Sequence, residues 1–483
     1  MPGKTTFLKR LIFLLACLAV LVRATTAETS ASDKFFFVGD VMLSRLVDKE
    51  FRDNNNVALS AELREMFTSA SWVIGNLEGS VGEIADCPDR VSSNLCFYTD
   101  PARIKFLSRS GFKAMGMENN HSMDTGIDGR RATRESLINE KIVPLEYDKS
   151  PVFIKINYLT IGIIPFSLIP DASGEFVNIP STQLLRRLQK ARALSDLVVV
   201  YVHWGKELQD WGSASMLEHT DWLTRNGADL IVGSHPHVVI EPGCVNGKPV
   251  FYSLGNFLFD QKYLQTQRGH IVECDVFSEE KQLECAYSAI QRSEESYIPE
   301  LAERSPYDKN TLQDCILDFN RPITIQDISV RARSEPDNYD GRIILEGWQN
   351  DKLLWETSPT NLIEISKGRF GQGEDEYLFT LEKHFSDIDH EYAPRPYVYR
   401  ITDRGLAALW RGSALAWPIK DATVLCDDKC YVCALHRGDS FLIPDPQTEK
   451  TRVALYEWNG FGFSGIDGNQ LLQDKCEDYY KDF

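Results

Sequence analysis

Basic residues are scarce in this 483-residue chain. Lysine and arginine number 52 against 70 aspartates and glutamates, a formal net charge of −18. Sequence-independent nucleic-acid binding rests on counterion release by a basic footprint, so no nucleic-acid partner is expected. A small cationic site remains allowed, and an acidic balance is compatible with recruiting metal ions. Long apolar runs are also wanting. The twelve residues Leu11–Val22 form the one such run, and a bilayer span needs about 20. No clean internal repeat is visible, which gives a propeller no support. The segment Gly233-Ser234-His235-Pro236-His237 is not the Gly-x-Ser-x-Gly elbow of a serine hydrolase. Histidines number only nine, so where they fall is informative.

The rest of the composition is near the globular average, 43% hydrophobic and 25% charged, which excludes disordered, collagen-like and coiled-coil chains. At roughly 100–200 residues per domain, two or three domains are expected. Residues 1–27 read as an export signal: Lys4, Lys9 and Arg10 precede the apolar run, and Ala24 and Ala27 offer small-residue cleavage points. A lipobox at Leu14-Leu15-Ala16-Cys17 ranks lower, because apolar residues continue past Cys17. Removing residues 1–27 takes four basic and no acidic residues, leaving −22. The mature chain is expected to be exported, to the periplasm, the cell surface or the medium. It would touch a membrane only through an uncleaved or lipidated N-terminus. Ten of the 11 cysteines would then occupy an oxidising compartment that favours disulfides. Cys87 and Cys96 flank a short loop and are expected to pair. Cys426, Cys430 and Cys433 have a spacing that suits zinc, but no fourth ligand lies nearby and export favours disulfides.

From 34 to about 277 short apolar runs alternate with amphipathic helices. Phe35–Val38, Trp72–Ile74, Phe112–Met117, Leu197–Val202, Leu230–Val232 and Val250–Leu254 suit strands covered on both faces. Helices are predicted from Pro101, from Ser181 and over about 215–225. The alternation predicts an α/β region with a largely parallel sheet over 28–285. The polar stretch 286–342 reads as an extension or linker, and 343–483 as a mainly β module.

Polar residues follow those apolar runs. Gly39-Asp40 follows the first, and Gly75-Asn76-Leu77-Glu78 the second. Asn119-Asn120-His121, with Asp124 three residues on, follows the third. His203, then His235-Pro236-His237, then Gly255-Asn256 follow the last three. In a parallel sheet the carboxyl ends share one edge, where ligands bind, so six strand ends converge on one crevice. Imidazoles with carboxylates are the ligand set of Mn, Zn or Fe, and one or two divalent ions are expected there. Pro236 is expected to hold His235 extended. Both imidazoles of the triplet would then face one side. Arg45 could hold a substrate anion, and Asn119 and Asn256 are further candidate substrate contacts.

Six segments together resemble the poly-gamma-glutamate capsule biosynthesis protein CapA family, whose fold is that of the calcineurin-like metallophosphoesterases. They are Gly39–Arg45, Asn76–Gly79, Asn119–Asp124, Val202–Gly205, Gly233–Val238 and Tyr252–Phe257, in family order over 34–277. The resemblance implies a layered fold of sheets flanked by helices. It implies metal ligation by Asp40, Asn120, His203, His235 and His237, with His121 as proton donor oriented by Asp124. Two departures stand out. Met42 takes the place of the histidine in Asp-x-His, and Asn76 replaces the bridging aspartate, leaving Glu78 as the substitute ligand. The function implied is a metal-dependent hydrolase-type site in capsule or poly-gamma-glutamate biosynthesis, release or processing. Its substrate would be an anionic polymer or a phosphoester, and other capsule-synthesis proteins its partners. A non-catalytic polymer-handling component and an exported phosphoesterase are the alternatives.

Overall fold

Alternation within each apolar run decides which layer a side chain enters. In the strand Asp33–Val41, Phe35 and Phe37 point to one face, Phe36 and Val38 to the other. The computed structural model describes residues 33–481 except 55–56, 88–94, 157–158, 278–281, 293–294, 304–314, 316, 319–321, 335–341, 372, 374, 387–390, 413–414, 416–418, 427–428, 439–449 and 467–469. The expected export signal and lipobox lie outside these residues.

The largely parallel sheet read from the alternation is divided into two mixed sheets, in the layered arrangement of sheets flanked by helices that the resemblance implies. The first runs Pro299–Glu303, Gln282–Arg292, Arg268–Phe277, Asp33–Val41, Trp72–Leu77, Ala114–Gly116, Val143–Leu145. Its last four strands are parallel. The second runs Gly243–Val245, Lys248–Phe251, Leu230–Ser234, Leu197–His203, Leu159–Ser167, Val152–Ile156, with its four central strands parallel. Between the sheets, Phe35, Phe37 and Ile74 meet Ile163, Val199, Tyr201 and Val232. The outer faces are covered by helices. Pro101–Arg109 and Gly126–Asn139 bring Ile104, Leu107 and Leu137 to Phe36 and Val73. Thr182–Leu194 and Ala214–Arg225 bring Leu184, Leu188, Met216 and Leu223 to Val198, Val200 and Ile231. The result is helices, sheet, sheet, helices. Both sheets are apolar on both faces, so hydrophobic pattern alone does not assign a strand to one or the other.

The strand-rich remainder begins before residue 343. Within 286–342, read as an extension or linker, Pro299–Glu303 joins the first sheet and Ile328–Ser334 pairs with Ile343–Gln349. Buried Val330 and Ala332 alternate there with polar residues, which is what a strand buried mainly on one face requires. Three four-stranded antiparallel sheets follow one another: Thr324–Ile325 to Lys352–Glu356, Leu362–Gly368 to Gly405–Arg411, and Ile419–Cys426 to Phe463–Gly465. Each pairs its strands in chain order, a repeat of topology that the sequence does not display. The helix Gln470–Tyr479 packs Leu472 and Cys476 on the third sheet. All ten cysteines within the described residues are paired: Cys87–Cys96, Cys244–Cys315, Cys274–Cys285, Cys426–Cys430 and Cys433–Cys476. The 426/430/433 trio is therefore held in disulfides. Among the described residues no helix is long and apolar enough to cross a membrane.

The helix Thr182–Leu194 joins the layered region to the sheets beyond it. Its buried Lys190 donates from Nζ to the Leu362 carbonyl at 2.5 Å. Burial, and then the charge of Arg187, bring the Lys190 ammonium down to about 7. The unfolded chain keeps this proton up to about pH 10.5, the folded chain only to about 7, so stability rises with pH across that window. Lys190→Met is expected to remove about 2 kcal/mol of the stability gained between pH 7 and 9. Urea unfolding of both proteins at the two pH values measures this, and parallel pH profiles would refute it.

Candidate metal centre

The carboxyl ends of the two sheets meet at one end of the sandwich. Asp40 is in register with Asn76 and Asn256 in the first sheet, His203 with Ser234 in the second. The Tyr201 hydroxyl crosses between the layers and donates to the Val38 carbonyl at 2.7 Å. That bond fixes the first sheet's strand end against the second.

Asp40 is fully buried. Its Oδ1 accepts from Asn76 Nδ2 at 2.8 Å, and its Oδ2 accepts from the His235 backbone N–H at 3.1 Å. His237 Nδ1 lies 3.3 Å from Asp40 Oδ2, and His237 Nε2 lies 3.5 Å from Glu78 Oε1. His203 Nε2 lies 2.8 Å from Asn120 Oδ1 and 3.1 Å from His235 Nδ1. Its Nδ1 is 3.0 Å from Ser234 Oγ. The predicted ligands Asp40, Glu78, Asn120, His203, His235 and His237 are thus brought together.

Burial pushes the Asp40 carboxyl upward, but the hydrogen bond and charge of His237 and the charge of His203 hold it well below the usual carboxylate range. Burial drives Glu78 well above its ordinary value, opposed by His237 and reinforced by Asp40. Desolvation and neighbouring imidazoles push His203 well down and His235 to about 4. Burial would lower His237 too, but Glu78 and Asp40 raise it to about 9.

Glu78 supplies the test of fit. It is fully buried, and neither carboxylate oxygen has a hydrogen-bond partner. Such a group costs free energy unless something compensates it. Ligand atoms of Asp40, Glu78 and His203 all lie within 4.8 Å of one another. This mixed carboxylate–imidazole set fits a divalent transition metal.

The backbone of the His-Pro-His triplet differs from the expected extended form. His235 has φ +98° and His237 φ +59°, left-handed values that non-glycine residues seldom adopt. The rule for residues before proline gives way to a turn that aims the His235 N–H at Asp40. The two rings still converge, 6.1 Å apart. Strain of this kind, of order 1–3 kcal/mol per residue, clusters at functional sites.

His121 stands beside the cluster. Its Nδ1 is 2.8 Å from Asp124 Oδ2 and its Nε2 3.9 Å from Glu78 Oε1. Its ring stacks on Phe97 at 3.7 Å, while Asp124 Oδ2 also accepts from the Phe97 N–H at 2.7 Å. The other candidates face protein partners. Asn119 is buried, donates to Asn76 Oδ1 and the Leu77 carbonyl, and accepts from the His121 N–H. Asn256 donates to Gln261 and Thr266 and places its Oδ1 3.0 Å from His237 Nδ1. Both position site residues from behind. Arg45 pairs with Asp260 and lies over the Phe97 and Phe259 rings. Met42 is buried, its sulfur accepting from the Ser44 N–H and hydroxyl. Sequence reasoning missed Asp260, Phe97 and Phe259. Phe259 ends the segment opened by Gly255-Asn256, but Phe97 carries no signal beyond its neighbour Cys96.

Residues 34–261 match a family described as bacterial capsule synthesis protein. The chain is 29% identical over 254 residues to the PGA biosynthesis protein CapA of Bacillus subtilis, covering 49% of this chain and 66% of that protein. It is 26% identical over 258 residues to the capsule biosynthesis protein CapA of Bacillus anthracis, covering 49% and 62%. The matched stretch thus spans less than two thirds of either relative. Among solved structures, a phosphatase from Mycoplasma pneumoniae shares 16% identity at a TM-score of 0.36, covering 55% of this chain and 96% of that one.

Proposed function

We propose, from the membership of residues 34–261 in the bacterial capsule synthesis protein family, that the chain is an exported, metal-dependent hydrolase-type protein. It would act in the biosynthesis, release or processing of capsular poly-gamma-glutamate, alongside other capsule-synthesis proteins. Five disulfides are compatible with export into an oxidising compartment. The observation that carries the metal reading is the buried Glu78 carboxylate, which accepts no hydrogen bond, beside Asp40, His203 and His237.

Asp40, Glu78, Asn120, His203, His235 and His237 would hold one or two Mn, Zn or Fe ions. A bound cation supplies electrophilic polarisation of a phosphoryl or amide oxygen. Asn76 and the His235 N–H fix the Asp40 carboxylate. In the proton-donor role His121 would give its Nδ1–H hydrogen bond to Asp124 and carry the transferable proton on Nε2, toward the centre and a leaving group. Phe97 keeps the imidazole in this plane. His121→Asn is expected to lower turnover about 10²–10⁴-fold with metal content unchanged. Assays on poly-gamma-glutamate and on a phosphoester panel, with metal analysis of both proteins, test this. Unchanged turnover would remove His121 from the reaction, and phosphate release alone would favour a phosphoesterase.

Met42 favours a second reading. Its buried thioether is occupied by Ser44 and adds no imidazole to the first strand end. A protein that handles the polymer without cleaving it would bind poly-gamma-glutamate and show no turnover.

A further inference from the structure

Arg45 and Asp260 stand behind the aromatic wall of the metal centre, and neither the ligand set nor the proton donor accounts for them. Arg45 opens the helix Arg45–Asp53 at φ +52°, a left-handed value that non-glycine residues seldom adopt. Strain of this kind clusters at functional sites. Here it accompanies a close junction of the helix start with one buried carboxylate. Asp260 Oδ2 accepts from the Leu46 N–H at 3.1 Å and from Arg45 Nε at 3.2 Å, while Oδ1 pairs with the guanidinium.

The guanidinium so fixed lies over two phenyl rings, 4.5 Å from the Phe97 centroid and 5.6 Å from that of Phe259. The rings meet edge to face at 5.7 Å, and each touches an imidazole of the centre. His121 stacks on Phe97 at 3.7 Å and 17° from parallel, and His237 lies 4.7 Å from Phe259. The Phe97 backbone is tied by its N–H to Asp124 and by its carbonyl to the Ser80 N–H. A phenyl ring makes no conventional hydrogen bond of its own, so its plane is set by what lies on its face and edge. A cation held over both rings adds a directed attraction. An arginine kept for a substrate anion would hold its charge open to solvent. Arg45 instead spends it on Asp260, which is 6% exposed.

We propose that Arg45 and Asp260 are positioning residues: their ion pair sets the Phe97 and Phe259 rings, and through them the imidazoles of His121 and His237. Given the roles proposed above for those two histidines, Arg45 serves the geometry of the centre and not the grip on a substrate anion.

The test uses the full chain with ¹³C-labelled histidine, first in chelator. Protons above an aromatic face resonate upfield, so the His121 ring signals are expected upfield in wild type. The double variant Arg45→Met, Asp260→Asn removes both charges together and keeps an acceptor for the Leu46 N–H. It is expected to move the His121 signals downfield and to displace those of His237. His384 and His436, in the C-terminal sheets, keep their shifts and report that the chain is folded. Arg45→Lys moves the site signals less, because the ion pair survives without the planar group. In the metal-loaded protein the double variant is expected to lower kcat about 10–100-fold at unchanged KM. Unmoved His121 and His237 signals would overturn the proposal, as would a rise in KM with kcat kept. Absence of turnover in wild type would fail the hydrolase reading alone, and the ring signals would still decide this one.

Discussion

Glu78→Gln is expected to stabilise the metal-free chain while abolishing the stabilisation conferred by added Mn²⁺ or Zn²⁺. The wild-type carboxylate is buried with no hydrogen-bond partner, and burial already drives it toward the protonated state. A neutral amide of the same shape spares folding the burial of a charge or the uptake of a proton at this position, and His237 keeps Asp40 as its partner. The gain without metal is about 1 kcal/mol. The loss with metal is larger: a ligand at about 1,000 times its Kd stabilises by about 4 kcal/mol, and a site lacking one of its carboxylates forfeits most of that. Thermal unfolding in chelator and in metal reads both effects. A variant less stable in chelator that still responds fully to metal would show that Glu78 is not a ligand.

Arg186→Met is expected to cost about 3–5 kcal/mol, because it leaves two buried carboxylates facing each other. Arg186, 7% exposed on the helix Thr182–Leu194, pairs with Asp421 and lies 3.8 Å from Glu364. Its Nε donates to the Tyr479 hydroxyl at 2.8 Å. One side chain thus ties the layered region to the second and third C-terminal sheets and the final helix. Burial first, then the charge of Asp421, raise Glu364 to about 7 against the pull of Arg186. The folded chain therefore holds this proton above the unfolded value near 4.5, and the stability it contributes is lost as pH rises from about 4.5 to 7. Without Arg186 that decline steepens. Urea unfolding at pH 5 and pH 7 measures both quantities. The combined change Arg186→Met, Glu364→Leu, Asp421→Val recovers stability if charge burial is the cause.

Strand ends were legible because each is an apolar run stopped by a polar residue, and Asp40, His203 and His235 fall at those stops. Which sheet each strand joins was not, since Val199 and Phe37 look alike in sequence yet sit in opposite sheets of one core. The triplet geometry was misread for a different reason. Proline's preference for an extended neighbour is local, and the His235 N–H bond to Asp40 comes from 195 residues away and overrides it. Asn119 and Asn256 show polarity at the right edge, but their amide partners Asn76, Leu77, Gln261 and Thr266 are brought to them only by the fold. The Cys87–Cys96 pairing followed from a short loop, whereas Cys244–Cys315 spans 71 residues and no spacing rule reaches it.

The left-handed backbone at His235 and His237 sets folding against the ligand role proposed for the same two residues. Glycine would occupy those angles at less cost and would hold nothing, so the imidazoles persist there against the local preference of the chain. A lineage that lost its cation would be free to relax at these two positions before it changed anything else in the sandwich.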